Sequence, residues 1–213
     1  MASRKPVAKK ADWRTLFRES IARSLVIGAS SALALLTLFI ALALLTHEGS
    51  DAALHTAAGG EPQNWMGSSG AWTADFLLFL GGLSIAMILP LIAIVAWRLW
   101  NYQPQPFWKR QWATMFIAIL ITGLGVQLWT EGSNSALPAG YGGILALVIG
   151  NAITPWFNLI PDPSSAILRF VVIFLMVGVG LLMGYRALRL EKGWAEGLRF
   201  SLPRLDSEAI EER

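Results

Sequence analysis

At 213 residues, 54% hydrophobic and only 15% charged, the chain is too apolar for an ordinary soluble domain, in which about a quarter of the residues are charged. It has no cysteine, which excludes disulfides, thiolate-held metals and thiol catalysis. The net charge of +3 does not call for nucleic acid, because the cations border apolar runs, where they orient a membrane protein.

In chain order, residues 1–20 form a basic cytoplasmic arm with Arg4, Lys5, Lys9, Lys10, Arg14 and Arg18. Trp13, Leu16 and Phe17 beside those arginines allow two readings: a short interfacial helix against anionic lipid, or a disordered arm that serves only as a topology signal. Residues 21–192 form the membrane domain. Its first span, 25–46, carries Ser30, Ser31, Thr37 and Thr46 as its polar members. A crossing segment needs about 20 predominantly apolar residues, and in lipid it must satisfy its own backbone as a helix. A loop with His47 and His55 follows, and two loop histidines are expected to be solvated. The second span, 76–97, is interrupted by Gly81, Gly82 and Pro90. Gln103-Pro104-Gln105-Pro106 marks a tight inner turn. The third span, 112–129, contains Gly123, Gly125 and Gln127. Residues 141–160 are apolar only from Ile144 to Ile149 before Gly150-Asn151, and read as a short outer-face helix. Pro161-Asp162-Pro163 ends that segment. The fourth span, 166–188, has Arg169 near its start and Arg186 near its end. Residues 193–213 turn polar and acidic and read as the start of a cytoplasmic linker. The fold class expected is therefore all-α integral membrane, a four-transmembrane-helix bundle with one outer-face helix between spans three and four.

Cations give the direction. Loops 47–75 and 130–168 contain no lysine or arginine, whereas the arm, the 98–111 connection and the tail are rich in both. The positive-inside rule then places both termini in the cytoplasm. Tryptophans favour the interfaces: Trp97, Trp100, Trp108, Trp112 and Trp194 fall at the inner border, and Trp65, Trp72, Trp129 and Trp156 at the outer one. The first apolar run is longer than a signal peptide's, and a fifth crossing at 141–160 would strand the cationic tail outside.

Chemistry is sparse, and no catalytic, cofactor-binding or metal-ligating residue is predicted. There is no Gly-Lys dipeptide and hence no phosphate loop, no H-E-x-x-H and no G-x-S-x-G. Proton or ion relays need ionisable groups within the bilayer, and mid-span there is only Gln127. Asp75 is expected to cap the start of span two. An Asp75–Arg169 pair across the outer face is one option, and separate solvation is the other. Gly180 and Gly184 form a small-xxx-small step suited to helix packing, with Gly178 just off that face; packing within one bundle is favoured over self-association. A small four-span transporter or channel is the alternative to an anchor, although no internal repeat is evident.

One run carries more. Asn64-Trp65-Met66-Gly67-Ser68-Ser69-Gly70-Ala71-Trp72-Thr73-Ala74-Asp75, followed by Pro90, resembles the N-W-x-G-x-x-G-A-x-x-A-D run and later Leu-Pro of FtsK/SpoIIIE DNA translocases, in their amino-terminal four-span (4TM) region. Asn64, Trp65, Gly67, Gly70, Ala71, Ala74, Asp75 and Pro90 match in spacing. Leu137-Pro138-Ala139-Gly140-Tyr141-Gly142-Gly143 resembles the family's glycine-rich second outer loop. Asp51 is followed by Ala-Ala where the family often has Pro-Ser. The resemblance covers roughly residues 20–192. It implies an anchor in the bacterial inner membrane, at the division septum, that gathers subunits and contacts other division proteins and membrane lipid. It also implies contact with DNA only through a motor domain that has no counterpart in these residues.

Overall fold

The computed structural model describes residues 13–57, 60–103, 107–130 and 137–188. Among them the regular structure is wholly helical: α1 Trp13–Leu45, α2 Gly67–Gly81, a 3₁₀ segment Gly82–Met87, α3 Ile88–Trp100, α4 Trp108–Trp129, α5 Ile144–Phe157 and α6 Ser164–Leu188. The basic residues of 1–12, the Pro104-Gln105-Pro106 part of the inner turn and the tail from 189 lie outside the described residues.

Four units are long and apolar enough to cross a bilayer: Leu16–Leu45, Gly67–Trp100, Trp108–Trp129 and Ser164–Leu188. The expected four-helix membrane bundle is therefore the observed one, with α5 as the short extra helix between the third and fourth spans. Two borders move. Trp13, Leu16 and Phe17 belong to the first turns of α1, continuous with the span. At 33 residues and about 1.5 Å per residue, α1 is longer than the roughly 30 Å hydrocarbon layer requires. The second crossing starts at Gly67, not at residue 76. Ser68, Ser69 and Thr73 hide its first turns from a hydropathy reading, and two of these hydroxyls bond back to helix carbonyls, Ser69 to Met66 O and Thr73 to Ser69 O.

The helices pack in pairs, α4 on α6 and α1 on α3, with α5 laid against α4 and α2. The centre is apolar, built from Leu78, Ile85, Leu91, Met115, Ile119 and Ala187. Outward faces are apolar too: Leu25, Leu35 and Leu38 on α1 and Phe170, Phe174 and Leu175 on α6 are all more than half exposed. In water so much apolar surface would drive association; in a bilayer, acyl chains solvate it. At the end of the bundle where α3 and α6 finish, Arg98 Nη2 donates to Leu188 O at the close of α6. At the opposite, loop end, Arg169 Nη2 donates to Leu128 O at the close of α4. Each arginine thus meets the last carbonyls of a helix, where its charge complements the helix dipole.

The second crossing is discontinuous. Gly82 adopts φ +55°, a left-handed conformation that glycine alone enters without penalty. The backbone then winds as 3₁₀ to Met87 before α3 begins. Pro90 falls in the first turn of α3, where the N–H it lacks has no helical partner to lose.

Candidate functional site

The matched run builds a polar knot at the loop end. Helix α1 closes at Leu45 with carbonyls left over, as every helix does. Asn64 satisfies two acceptors there: its Nδ2 donates to Ala43 O at 2.8 Å and to Thr46 O at 3.2 Å. Its Oδ1 accepts the Met66 N–H at 3.0 Å. Asn64 is itself gripped from behind, since the Asp51 carboxylate accepts the N–H groups of Gln63 and Asn64 at 2.7 and 2.9 Å. Thr46 Oγ1 accepts the N–H of Trp65, while the Trp65 indole stands 74% exposed at the border. Asp51 and Asn64 are both buried, so each of these bonds replaces water that the groups would otherwise need.

Small residues let α2 lie close behind the knot. Gly67, with φ +65°, turns the chain into the helix. A Cβ at Gly70 would sit 2.2 Å from Asn64 Oδ1 and 2.4 Å from Met66 Cβ, so only glycine fits. Gly70, Ala71, Ala74 and Leu78 lie on the buried face of α2, at the three- and four-residue spacing that puts side chains on one side of a helix.

Asp75 is not the cap of span two. It sits inside α2, on the buried face, and its carboxylate accepts the His55 N–H at 3.1 Å and faces His55 Nδ1 at 2.7 Å. The His55 ring stacks on Phe79, one turn further along, with centroids 4.2 Å apart. The acid therefore holds the 46–66 loop instead of its own helix start, and His55 is engaged, not merely solvated. It also takes no part with Arg169, whose guanidinium is at Leu128 O.

A second feature surrounds the break at Gly82. The Leu83 N–H, freed by the break, donates to Tyr141 O at 2.9 Å. A Cβ on Gly82 would meet Tyr141 O at 2.1 Å, and one on Gly143 would meet Gly82 N at 2.6 Å. The glycine-rich loop thus packs backbone to backbone into the interrupted helix. Gln127 Oε1 accepts the Gly142 N–H at 3.3 Å, so this α4 side chain positions the loop. Ser84 Oγ bridges Gly81 O and Ile119 O at 2.7 and 2.9 Å. Irregular backbone at membrane depth is tolerated where protein buries and satisfies it, and here it does.

Gly180 and Gly184 lie in the α6 contact with the bundle. A Cβ at Gly180 would meet Thr122 Oγ1 at 2.2 Å and at Gly184 Met87 Cε at 2.3 Å, whereas Gly178 has open space. Among the described residues no three metal-capable side chains converge, and apart from the Asp75–His55 contact the polar side chains of the knot bind backbone. Sequence reasoning missed Asp51 and His55 as members of the knot. Asp51 stood out only as the residue that Ala-Ala follows where the family often has Pro-Ser, and bonds to backbone N–H groups 12 and 13 positions on, or to a side chain 20 positions away, leave no pattern.

The family described as the 4TM region of DNA translocase FtsK/SpoIIIE matches residues 23–195. A protein named DNA translocase FtsK from Pseudomonas syringae pv. syringae (strain B728a) is 30% identical over 168 residues, covering 75% of this chain and 20% of its own length. One of the same name from Bradyrhizobium diazoefficiens is 28% identical over 155 residues, covering 73% and 18%. Another, from Shewanella oneidensis, is 33% identical over 128 residues, covering 58% and 14%. The chain thus spans a fifth or less of the length of these curated relatives. No solved structure matches it significantly.

Proposed function

The chain belongs to the FtsK/SpoIIIE DNA translocase family, as its four-span membrane region, and from that premise we propose that it anchors such a translocase in the bacterial inner membrane at the division septum. In this reading both ends face the cytoplasm, where a motor joined beyond Arg213 reaches ATP and duplex DNA. The bundle keeps the protein at the closing septum, helps to gather its subunits, and presents its loops and lipid-facing sides to other division proteins. The region is not itself the motor. The basic arm, 1–20, and the polar segment 193–213 flank it as a lipid-facing lead-in and a linker.

The observation that carries this reading is the match between motif and architecture. The run from Asn64 to Asp75 is spent on tying α1, the 46–66 loop and α2 together, which suits a rigid scaffold. The cation-free loops 47–75 and 130–168 support the orientation. A broken crossing is also a feature of transporters, which gives the channel or transporter reading its one argument. Against it, the break is filled by the 141–143 backbone, and Gln127 is committed to Gly142.

A fluorescent protein fused after Arg213 tests the septal role in dividing cells. A band at mid-cell is expected. An even ring of signal around the whole membrane contradicts it.

A further inference from the structure

Between Glu131 and Asp162 the chain carries no charged side chain and no histidine, whereas the shorter loop after α1 holds Glu48, Asp51, Glu61, His47 and His55. The pose of α5 within that uncharged stretch is set by two rungs. A Cβ on Gly123 would lie 3.6 Å from Ala146 Cβ, and one on Gly150 would lie 4.0 Å from Gln127 Cβ. The rungs are four residues apart on each helix and equally close. Helix α5 therefore stands alongside α4 and runs the same way, toward the loop end, instead of lying across it.

This register gives depth. Trp129 closes α4 and marks the border of the span, as interfacial indoles do. Gly123 lies about 9 Å inside that border along the axis of α4. Counting from the rungs, Leu145 lies about 10 Å and Val148 about 6 Å inside it, Asn151 comes level with Leu128, and Trp156 passes beyond. Ala146 and Gly150 are buried against the bundle, while Leu145 and Val148 turn away from it, 45% and 60% exposed. The backbone gives a second sign. The N–H groups of Gly140, Gly142 and Gly143 donate to Leu137 O, Gln127 Oε1 and Gly140 O, and Tyr141 O accepts the Leu83 N–H. The Thr154 hydroxyl donates back to Gly150 O. Hydrocarbon offers no replacement partners, so a segment inside it must find its own. Pro155, which deprives the Asn151 carbonyl of its helical donor, comes only where the helix has reached the border and water can serve.

We infer that residues 137–157 form a re-entrant half-crossing. The glycine-rich loop enters the loop-end leaflet as far as Gly82 and Gly123, α5 climbs back out along α4, and the acyl chains of that leaflet cover the face of α5 that carries Leu145 and Val148. At its deep end the insertion meets the break in the second crossing. A Cβ on Gly143 would lie 2.6 Å from Leu80 O, so the start of α5 faces the close of α2, and the positive end of one helix dipole meets the negative end of the other. The half-helix thus joins lipid on one side to the interrupted crossing on the other. This inference depends neither on the septal role nor on which leaflet the loop end occupies.

The test uses the whole chain, which has no native cysteine, in vesicles of phosphatidylethanolamine and phosphatidylglycerol. One nitroxide at a time is attached through Leu145→Cys, Val148→Cys or Ala152→Cys. All three native side chains are exposed, so the labels displace no packing, and helix content and monodispersity check each variant. Phe174→Cys on the outward face of α6 and Ser50→Cys in the loop after α1 are the lipid and water references. Collisions with oxygen, compared with those of a water-soluble nickel chelate, report depth. Positions 145 and 148 are expected to favour oxygen as 174 does, and depth should decrease by about 10 Å from 145 to 152. Equal depth at all three positions, as in a helix lying flat on the surface, overturns the proposal. So does access of nickel to 145 that matches its access to 50. Shielding of 148 from both reagents also overturns it, because protein, a second copy included, would then cover this face instead of lipid.

Discussion

At the scale of single residues, stability at the loop end rests on amide and carboxylate groups spent on backbone. Asn64→Ala removes both bonds to the end of α1 and leaves the Met66 N–H and two carbonyls without their partner. Unsatisfied buried groups cost about 1–3 kcal/mol each, so the variant should unfold at a distinctly lower denaturant fraction in detergent titrations. Gly70→Ala should cost about 1–3 kcal/mol by crowding the same amide. If both variants unfold like the parent, the knot is not what the motif is for. The run itself was plain in the sequence, as spacing is, but its purpose was not. Asn64 bonds to carbonyls 18 and 21 positions away, and backbone acceptors have no sequence signature. Asp75 was misread because the polar Ser68, Ser69 and Thr73 delay the apolar run, so the helix looked nine residues shorter at its start than it is.

At the scale of elements, the four spans and the short α5 were legible because lipid demands long apolar helices and allows few alternatives. The interruption of the second crossing was visible as Gly81, Gly82 and Pro90. Its filling by Tyr141 and Gly143 was not, since the contact joins backbones across some 60 positions. Without a hydrophobic force between helices in lipid, close approach at small residues decides which faces meet. Gly180 and Gly178 provide a paired test on one helix. Gly180→Ile must displace Thr122 and the Ala118 carbonyl and should destabilise the bundle by about 1–3 kcal/mol. Gly178→Ile enters open space and should stay within about 0.5 kcal/mol of the parent. Equal effects in the same titration contradict the assignment of the α4–α6 contact. Loss of stability in Gly178→Ile alone would instead place a partner on the outer face of α6.

At the scale of the whole molecule, the proposed anchor has a basic arm and a trailing motor on the same, cytoplasmic side, which requires an even number of crossings, and the cation pattern supports that direction. The absence of native cysteine makes this directly measurable with single introduced thiols. Ser3→Cys, Ser50→Cys and Ser207→Cys, each alone, are treated in intact cells, with the outer membrane opened, using a maleimide that cannot cross the inner membrane. Labelling of Cys at position 50 alone, with positions 3 and 207 reacting only after the inner membrane is breached, is the predicted result. Labelling of either terminal position in unbreached cells contradicts the account.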